Sequence, residues 1–195
     1  MQGFVLSRHN QDTEHGINLI YWLVTDDGPV CLRQTQQESV CFLPTSQQTH
    51  AQKLIQSMGL SKSIWRFEPI ELKTFQHEQA VALYMANHKV FQQVCAVLRE
   101  AHISLMEQDI QPQERYLMER FISASLVADV LPINGELNDV RVKSSVFVPN
   151  IKAVSLDIET TMDGKTIHSI AVYGKQGDTP VERVWLHWPK GMDND

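Results

Sequence analysis

Cysteine is scarce in this chain. Its 195 residues include three, Cys31, Cys41 and Cys95. The number is odd, no two are in a CxxC spacing, and all three lie in apolar stretches. That speaks against a disulfide framework and for buried, reduced thiols in a cytosolic protein. Long apolar runs are also missing: none reaches the roughly 18 residues that would span a bilayer. The N-terminus, "MQGFVLSRHNQDTEHG", has no basic segment leading into an apolar one, so no secretory signal is expected. An excess of positive charge is absent as well. Lys and Arg total 17 against 23 Asp and Glu, for a net charge of -6. The deficit is spread along the chain, -4 over residues 1–150 and -2 over 151–195. A dedicated nucleic-acid-binding module is usually basic, so any affinity for DNA must come largely from elsewhere. The eight histidines stand at 9, 15, 50, 77, 88, 102, 168 and 187. They show no HxH or HxxxH spacing, which argues against a structural zinc site.

What is present is an ordinary globular composition, 43% hydrophobic and 21% charged, long enough for one or two packed domains. "FVLSRH" and "INLIYWLVTDDGPVCLRQ" read as strands, with Asp26-Asp27-Gly28-Pro29 as the turn of a hairpin. "VCFLP" is a further strand ending at Pro44. In "TSQQTHAQKLIQSMG", Thr45 and Gln48 fit a capping box, Ala51, Leu54, Ile55 and Met58 share a helical face, and Gly59 fits the C-terminal cap. "WRFEPIELKTF" is extended but interrupted at Pro69, and "QAVALYMAN" is a strand. "HKVFQQVCAVLREAHI" is a helix with Val90, Val94, Val97, Leu98 and Ala101 on one face, and "SLMEQDI" is a last strand. From about Val40 to Ile110 the order is β-α-β-β-α-β, the ferredoxin-like pattern. Pro112 opens a helix of two to three turns that includes Tyr116, Leu117, Arg120 and Phe121. "NGELNDVRVKSSVFVPN" is a turn, a strand and a linker, and Pro149-Asn150 marks the domain boundary. Three strand-like runs follow, "IKAVSLDIET", "TIHSIAVYG" and "VERVWLHWP", joined by turn-rich connections that favour an antiparallel meander. The fold class expected is therefore α+β.

Chemistry concentrates in "AVSLDIETTMDG". On a strand, Val154, Leu156 and Ile158 face one way and Ser155, Asp157 and Glu159 the other. The two acids lie about 6.6 Å apart along the strand at 3.3 Å per residue. Such carboxylates can converge on a pair of divalent ions about 3.5–4 Å apart, and their hard oxygens favour Mg²⁺ or Mn²⁺. A solvated strand face is the commoner meaning of an Asp-x-Glu, and two carboxylates rarely hold two ions. Asp163, Asp178, Glu182, Asp193 and Asp195 lie in turns or at the end and offer no convincing third ligand. Two readings from other classes stand beside a larger enzyme: a stand-alone nucleic-acid-binding or structural module, and a small metal-dependent nuclease using the acid pair alone. Trp22, Trp65, Trp185 and Trp188 could stack bases but fit core or interdomain packing better. Arg115 and Arg120 could contact phosphate or form ion pairs with Glu114 and Glu119.

"SLDIETT" resembles the first exonuclease motif of family B DNA polymerases. "ERYLMERFI", about 40 residues earlier, resembles the segment that precedes it there. With "GFVLSRH" and "QESVCFLP", the chain is similar over its whole length to the N-terminal part of bacterial members of that family. The resemblance implies a polymerase N-terminal domain at 1–148. It also implies the first antiparallel strands of an RNase H-like 3′→5′ exonuclease domain at 149–195. Asp157 and Glu159 match the family's metal-binding acids of that motif. Template and primer DNA are the implied partners, with no membrane association. The later exonuclease motifs, the polymerase acids and the segment that binds a sliding clamp do not occur in these residues. The chain by itself is therefore expected to be inactive and to bind Mg²⁺ or Mn²⁺ weakly.

Overall fold

The computed structural model describes residues 1–151, 153–176 and 179–187. They belong to two compact units, Met1–Pro149 and one beginning at Asn150. The fold is mixed α+β and mostly sheet.

The first unit opens with three long antiparallel strands, β1 (Gln2–Thr13), β2 (Gly16–Thr25) and β3 (Gly28–Gln37). The expected hairpin turn forms, with Thr25 paired to Gly28 and the Thr25 hydroxyl donating to the Gly28 carbonyl at 2.7 Å. The β1–β2 turn depends on Gly16. Its φ is +129°, and a Cβ there would stand 2.9 Å from Gln36 Cα, so the site excludes every side chain. On β2, Ile17, Leu19, Tyr21 and Leu23 are all at most 1% exposed. They build a core with Val30, Leu32, Leu126 and Leu137.

Three short strands complete this sheet: β7 (Ser125–Ala128), β8 (Glu136–Asn138) and β9 (Val142–Ser144). The spatial order is β8-β3-β2-β1-β7-β9, antiparallel except for β3 with β8. The helix α3 (Pro112–Met118) closes the core with Tyr116 and Leu117. The Tyr21 hydroxyl donates to the Gln113 carbonyl at 2.9 Å, and its ring lies 5.8 Å from that of Tyr116. Burial pushes the Tyr21 hydroxyl well above its usual range, so it acts only as a neutral donor.

Between β3 and α3 lies a second small sheet, β4 (Ser39–Pro44), β5 (Trp65–Lys73) and β6 (Gln79–Met85), in the order β4-β6-β5 and antiparallel throughout. The helices α1 (Gln48–Ser57) and α2 (His88–Glu100) pack on it around Ile55, Leu83, Phe91 and Leu98. The ferredoxin-like order is present, but the expected last strand is reduced to one bridge, in which Phe42 and Met106 exchange both main-chain hydrogen bonds at 3.0 and 2.8 Å. Glu107, at φ +59°, turns the chain away immediately afterwards, so "SLMEQDI" cannot extend beside β4. Strand β5 runs on through Pro69, but its pairing with β6 is interrupted there, the register shifting between Pro69 and Lys73. That strand is a sheet edge, where a residue lacking an N–H is tolerated.

The expected capping box at Thr45 is absent. Residues Thr45–Gln47 form a 3-10 turn and α1 has no side-chain cap; Gln47 instead accepts the Ser104 N–H at 2.8 Å. On α2 the buried face is His88, Phe91, Val94, Cys95 and Leu98, rotated from the expected one because Phe91 and Cys95 take the places assigned to Val97 and Ala101. Its first turn is held twice. Asn87 Oδ1 accepts the Val90 N–H at 2.8 Å, and the Asp12 carboxylate, reaching from β1, accepts the N–H groups of His88 and Lys89 at 2.7 and 3.0 Å.

The second unit is a three-stranded antiparallel meander, β10 (Val154–Thr160), β11 (Ile167–Gln176) and β12 (Thr179–Leu186). Its β10–β11 connection is fixed by Asp163. That carboxylate accepts the Thr161 hydroxyl at 2.5 Å and the Lys165 N–H at 3.2 Å, and these donors hold it below the usual carboxylate range.

Candidate functional site

Strand β10 carries the acid pair. All seven of its residues are exposed, so the acids and the alternate apolar residues are both open to solvent. Leu156 is 60% exposed and Ile158 47%. Strand register builds the rest of the acid face. Asp157 stands opposite Ala171, Glu159 opposite Ser169 and Ser155 opposite Tyr173. One strand further, Val184 pairs with Ala171 and Glu182 with Tyr173. The residues beside the acids are therefore Ser169 and Ala171, two small side chains. The opposite face carries Leu156, Ile158, Ile170, Val172 and Trp185, the composition of a surface that packs against another layer.

The two carboxylates fit half of a two-ion site: hard, negatively charged, adjacent on one face and free of ion pairs among the described residues. Among the described residues no group of three His, Cys, Asp or Glu side chains could hold a metal ion. Glu182 lies in β12 rather than in a turn. It shares the acid face but sits two strands across and two residues along from Asp157, roughly 12 Å away at 4.8 Å per strand and 3.3 Å per residue. Asp163 is committed to its turn, and Asp178, Asp193 and Asp195 lie outside the described residues. His168 is the extra residue of a β-bulge, since Glu159 pairs with Ser169 and Thr160 with Ile167.

Of the other candidates, Trp65 resolves as packing and Arg115 and Arg120 as ion pairs. Trp65 is buried, with its ring edge-on to Phe67. Trp22 and Trp185 are about half exposed, and Trp188 is outside the described residues. Arg115 bonds Glu107 at 2.6 Å and lies 3.6 Å from Glu119, while its guanidinium sits over the Phe42 ring. Arg120 stacks on Tyr116 at 3.6 Å and neighbours Glu119. No cation is left over on this helix for a phosphate. All three cysteines are free and buried, and the hydrogen bond with Cys95, together with burial, pushes the Cys41 thiol up.

Composition gave no signal for His88, which is 8% exposed. Its Nδ1 lies 2.8 Å from Ser39 Oγ and its Nε2 3.1 Å from Gln92 Nε2. Burial lowers its pKa, opposed by the nearby Asp12. It is a satisfied core histidine at the junction of β1, β4 and α2.

Comparison with known proteins agrees with this layout. Residues 3–38 match the family model "DNA polymerase II, N-terminal" and residues 39–103 match "DNA polymerase II, insertion domain". Together these cover a little over half of the chain. The border between them falls where the structure passes from β3 into the ferredoxin-like sheet. The chain is 37% identical over 164 residues to DNA polymerase II of Escherichia coli, an alignment covering 84% of this chain and 20% of that protein. It thus spans about one fifth of the length of that relative. In fold it is similar to the family B DNA polymerase from the hyperthermophilic archaeon Pyrobaculum calidifontis, with a TM-score of 0.72 at 15% identity over 97% of this chain and 27% of the archaeal one. No helix among the described residues is long and apolar enough to cross a membrane. The chain belongs to the DNA polymerase II family, and it corresponds to the N-terminal portion of that protein.

Proposed function

We propose that this chain serves as the N-terminal portion of a DNA-directed DNA polymerase with 3′→5′ proofreading exonuclease activity, and that the 195 residues alone catalyse neither reaction. In this reading residues 1–148 are the polymerase N-terminal domain beside the template strand. Residues 149–195 begin an RNase H-like exonuclease domain. Template and primer DNA are the substrates of the intact enzyme, and a sliding clamp would engage it through a segment outside these residues. The observation that carries the exonuclease reading is the placement of Asp157 and Glu159 side by side on the exposed face of β10.

Asp157 and Glu159 would hold Mg²⁺ or Mn²⁺. When bound, such ions supply an activated water and stabilise the leaving 3′ oxygen. The chain's own contribution is positional. The β10–β11 ladder fixes both carboxylates on one face, with the small Ser169 and Ala171 opposite them, and puts Leu156 and Ile158 on the other face. With one face of one strand supplying ligands, these residues alone form a weak metal site. The test is Mg²⁺-dependent degradation of a single-stranded oligonucleotide. Full-length polymerase should degrade it and lose that activity on Asp157→Ala while retaining primer extension. The 195-residue chain should not degrade it.

A further inference from the structure

Two of the three thiols lie together inside the second small sheet. Cys41 stands on β4 opposite Leu83 of the central strand β6, and Cys95 is on α2, which packs over that sheet. They are 0% and 3% exposed and belong to one core cluster. Their side chains are hydrogen-bonded to each other. That bond divides their chemistry. It leaves the proton on Cys41, whose thiol it pushes up together with burial. Cys95 moves the other way. The bond from Cys41 holds its thiol below the usual range, and Arg99, one turn further along α2, acts in the same direction against burial. A thiolate is the species that an oxidant attacks, and an adjacent thiol resolves the first product. Cys31 has neither advantage. It lies on β3 of the other sheet, its charged neighbours are Arg33 and Glu136, and burial pushes its thiol up.

We propose that Cys41 and Cys95 form a redox modification site, a dithiol that hydrogen peroxide converts into a reversible disulfide joining β4 to α2. Burial selects the oxidant, because sulfurs this enclosed admit a molecule of a few atoms and exclude a peptide disulfide. The Cys95 thiolate attacks one peroxide oxygen, the O–O bond breaks, and hydroxide leaves, which makes Cys95 a sulfenic acid. That hydroxide takes the Cys41 proton and becomes water. The Cys41 thiolate then attacks the sulfenic sulfur, and the S–O bond breaks. The second oxygen leaves as hydroxide and becomes water with the proton that Cys95 had released. Two thiols and one peroxide thus give one disulfide and two waters, and a dithiol reductant reverses the product by exchange. The link closes a loop of about 55 residues, which stabilises the folded chain by restricting the unfolded one. The site is independent of the acid pair on β10 and of the polymerase reading.

The test treats the folded 195-residue chain with hydrogen peroxide, then unfolds and alkylates it for mass spectrometry. One intramolecular link between Cys41 and Cys95 should form, with a loss of about 2 Da for the two hydrogens and with Cys31 still open to alkylation. The oxidised chain should unfold about 8 °C higher, and dithiothreitol should return both the mass and the Tm. Cys31→Ser should oxidise as the unsubstituted chain does. Cys41→Ser should stop at a Cys95 sulfenic acid that dimedone traps. The exposed Met162 reports that the oxidant has acted. Cys41 and Cys95 that both remain open to alkylation once Met162 is oxidised would overturn the proposal. So would a link that involves Cys31, one that forms only in urea, or one that lowers the Tm.

Discussion

Replacing Asp12 should loosen the first unit at the junction of its two sheets. Asp12 stands near the end of β1, yet its carboxylate accepts the N–H groups of His88 and Lys89 at 2.7 and 3.0 Å. Those are orphan donors of the first turn of α2, and the positive end of the helix dipole faces the carboxylate. Loss of a capping side chain costs about 1 kcal/mol, and hydrogen bonds to a charged group are worth about 1.5–3 kcal/mol. Asn87 still satisfies Val90, which limits the loss. Asp12→Ala should therefore destabilise the chain by about 2 kcal/mol, a fall in Tm of roughly 4–8 °C for a chain of this size. Asp12→Asn keeps an acceptor without the charge and should lose about half as much. Urea unfolding followed by far-UV circular dichroism reads both. A loss below about 0.5 kcal/mol for Asp12→Ala would refute the claim that this carboxylate ties β1 to α2, since surface substitutions without such a role fall in that range.

Two further outcomes follow from the same unit. Burial depresses the His88 pKa in the folded chain. The unfolded chain therefore binds this proton first, and stability should be complete above the ordinary histidine value of about 6.5 and decline as the pH falls below it. His88→Gln should flatten that part of the urea midpoint–pH profile; an unchanged profile would contradict the assignment. Gly16→Ala should cost more than about 2 kcal/mol, because the new Cβ meets Gln36 Cα at 2.9 Å at a φ of +129°. A midpoint shift equivalent to less than 1 kcal/mol in thermal unfolding would show that the β1–β2 turn yields easily.

The parts of the fold that were legible in the sequence are those written in local chemistry. The Asp26-Asp27 turn, Gly59 at the end of α1 (φ +71°), Pro112 at the start of α3 and the ferredoxin-like order all depend on residues near one another in the chain. The failures came from distant partners. The capping box expected from Thr45 and Gln48 is replaced by a 3-10 turn, whose Gln47 accepts the N–H of Ser104, 57 residues away. The strand expected after α2 gave way once Glu107 turned the chain. Strand β7 was missed because "SLVA" is too short to show alternation and is defined by pairing with residues more than a hundred positions earlier. Asp12 as a helix cap was invisible for the same reason. At the acid pair, alternation along β10 placed Asp157 and Glu159 on one face, but Ser169 and Ala171 as their neighbours needed the ladder register.

Asp157 and Glu159 are proposed as ligands of a proofreading exonuclease whose site these 195 residues do not complete. The most direct measurement is single-stranded oligonucleotide degradation with Mg²⁺, by the 195-residue chain and by the full-length polymerase, each with and without Asp157→Ala. The account predicts hydrolysis by the unsubstituted full-length protein alone. Hydrolysis by the 195-residue chain that disappears on Asp157→Ala, or full-length hydrolysis that survives that substitution, would contradict it.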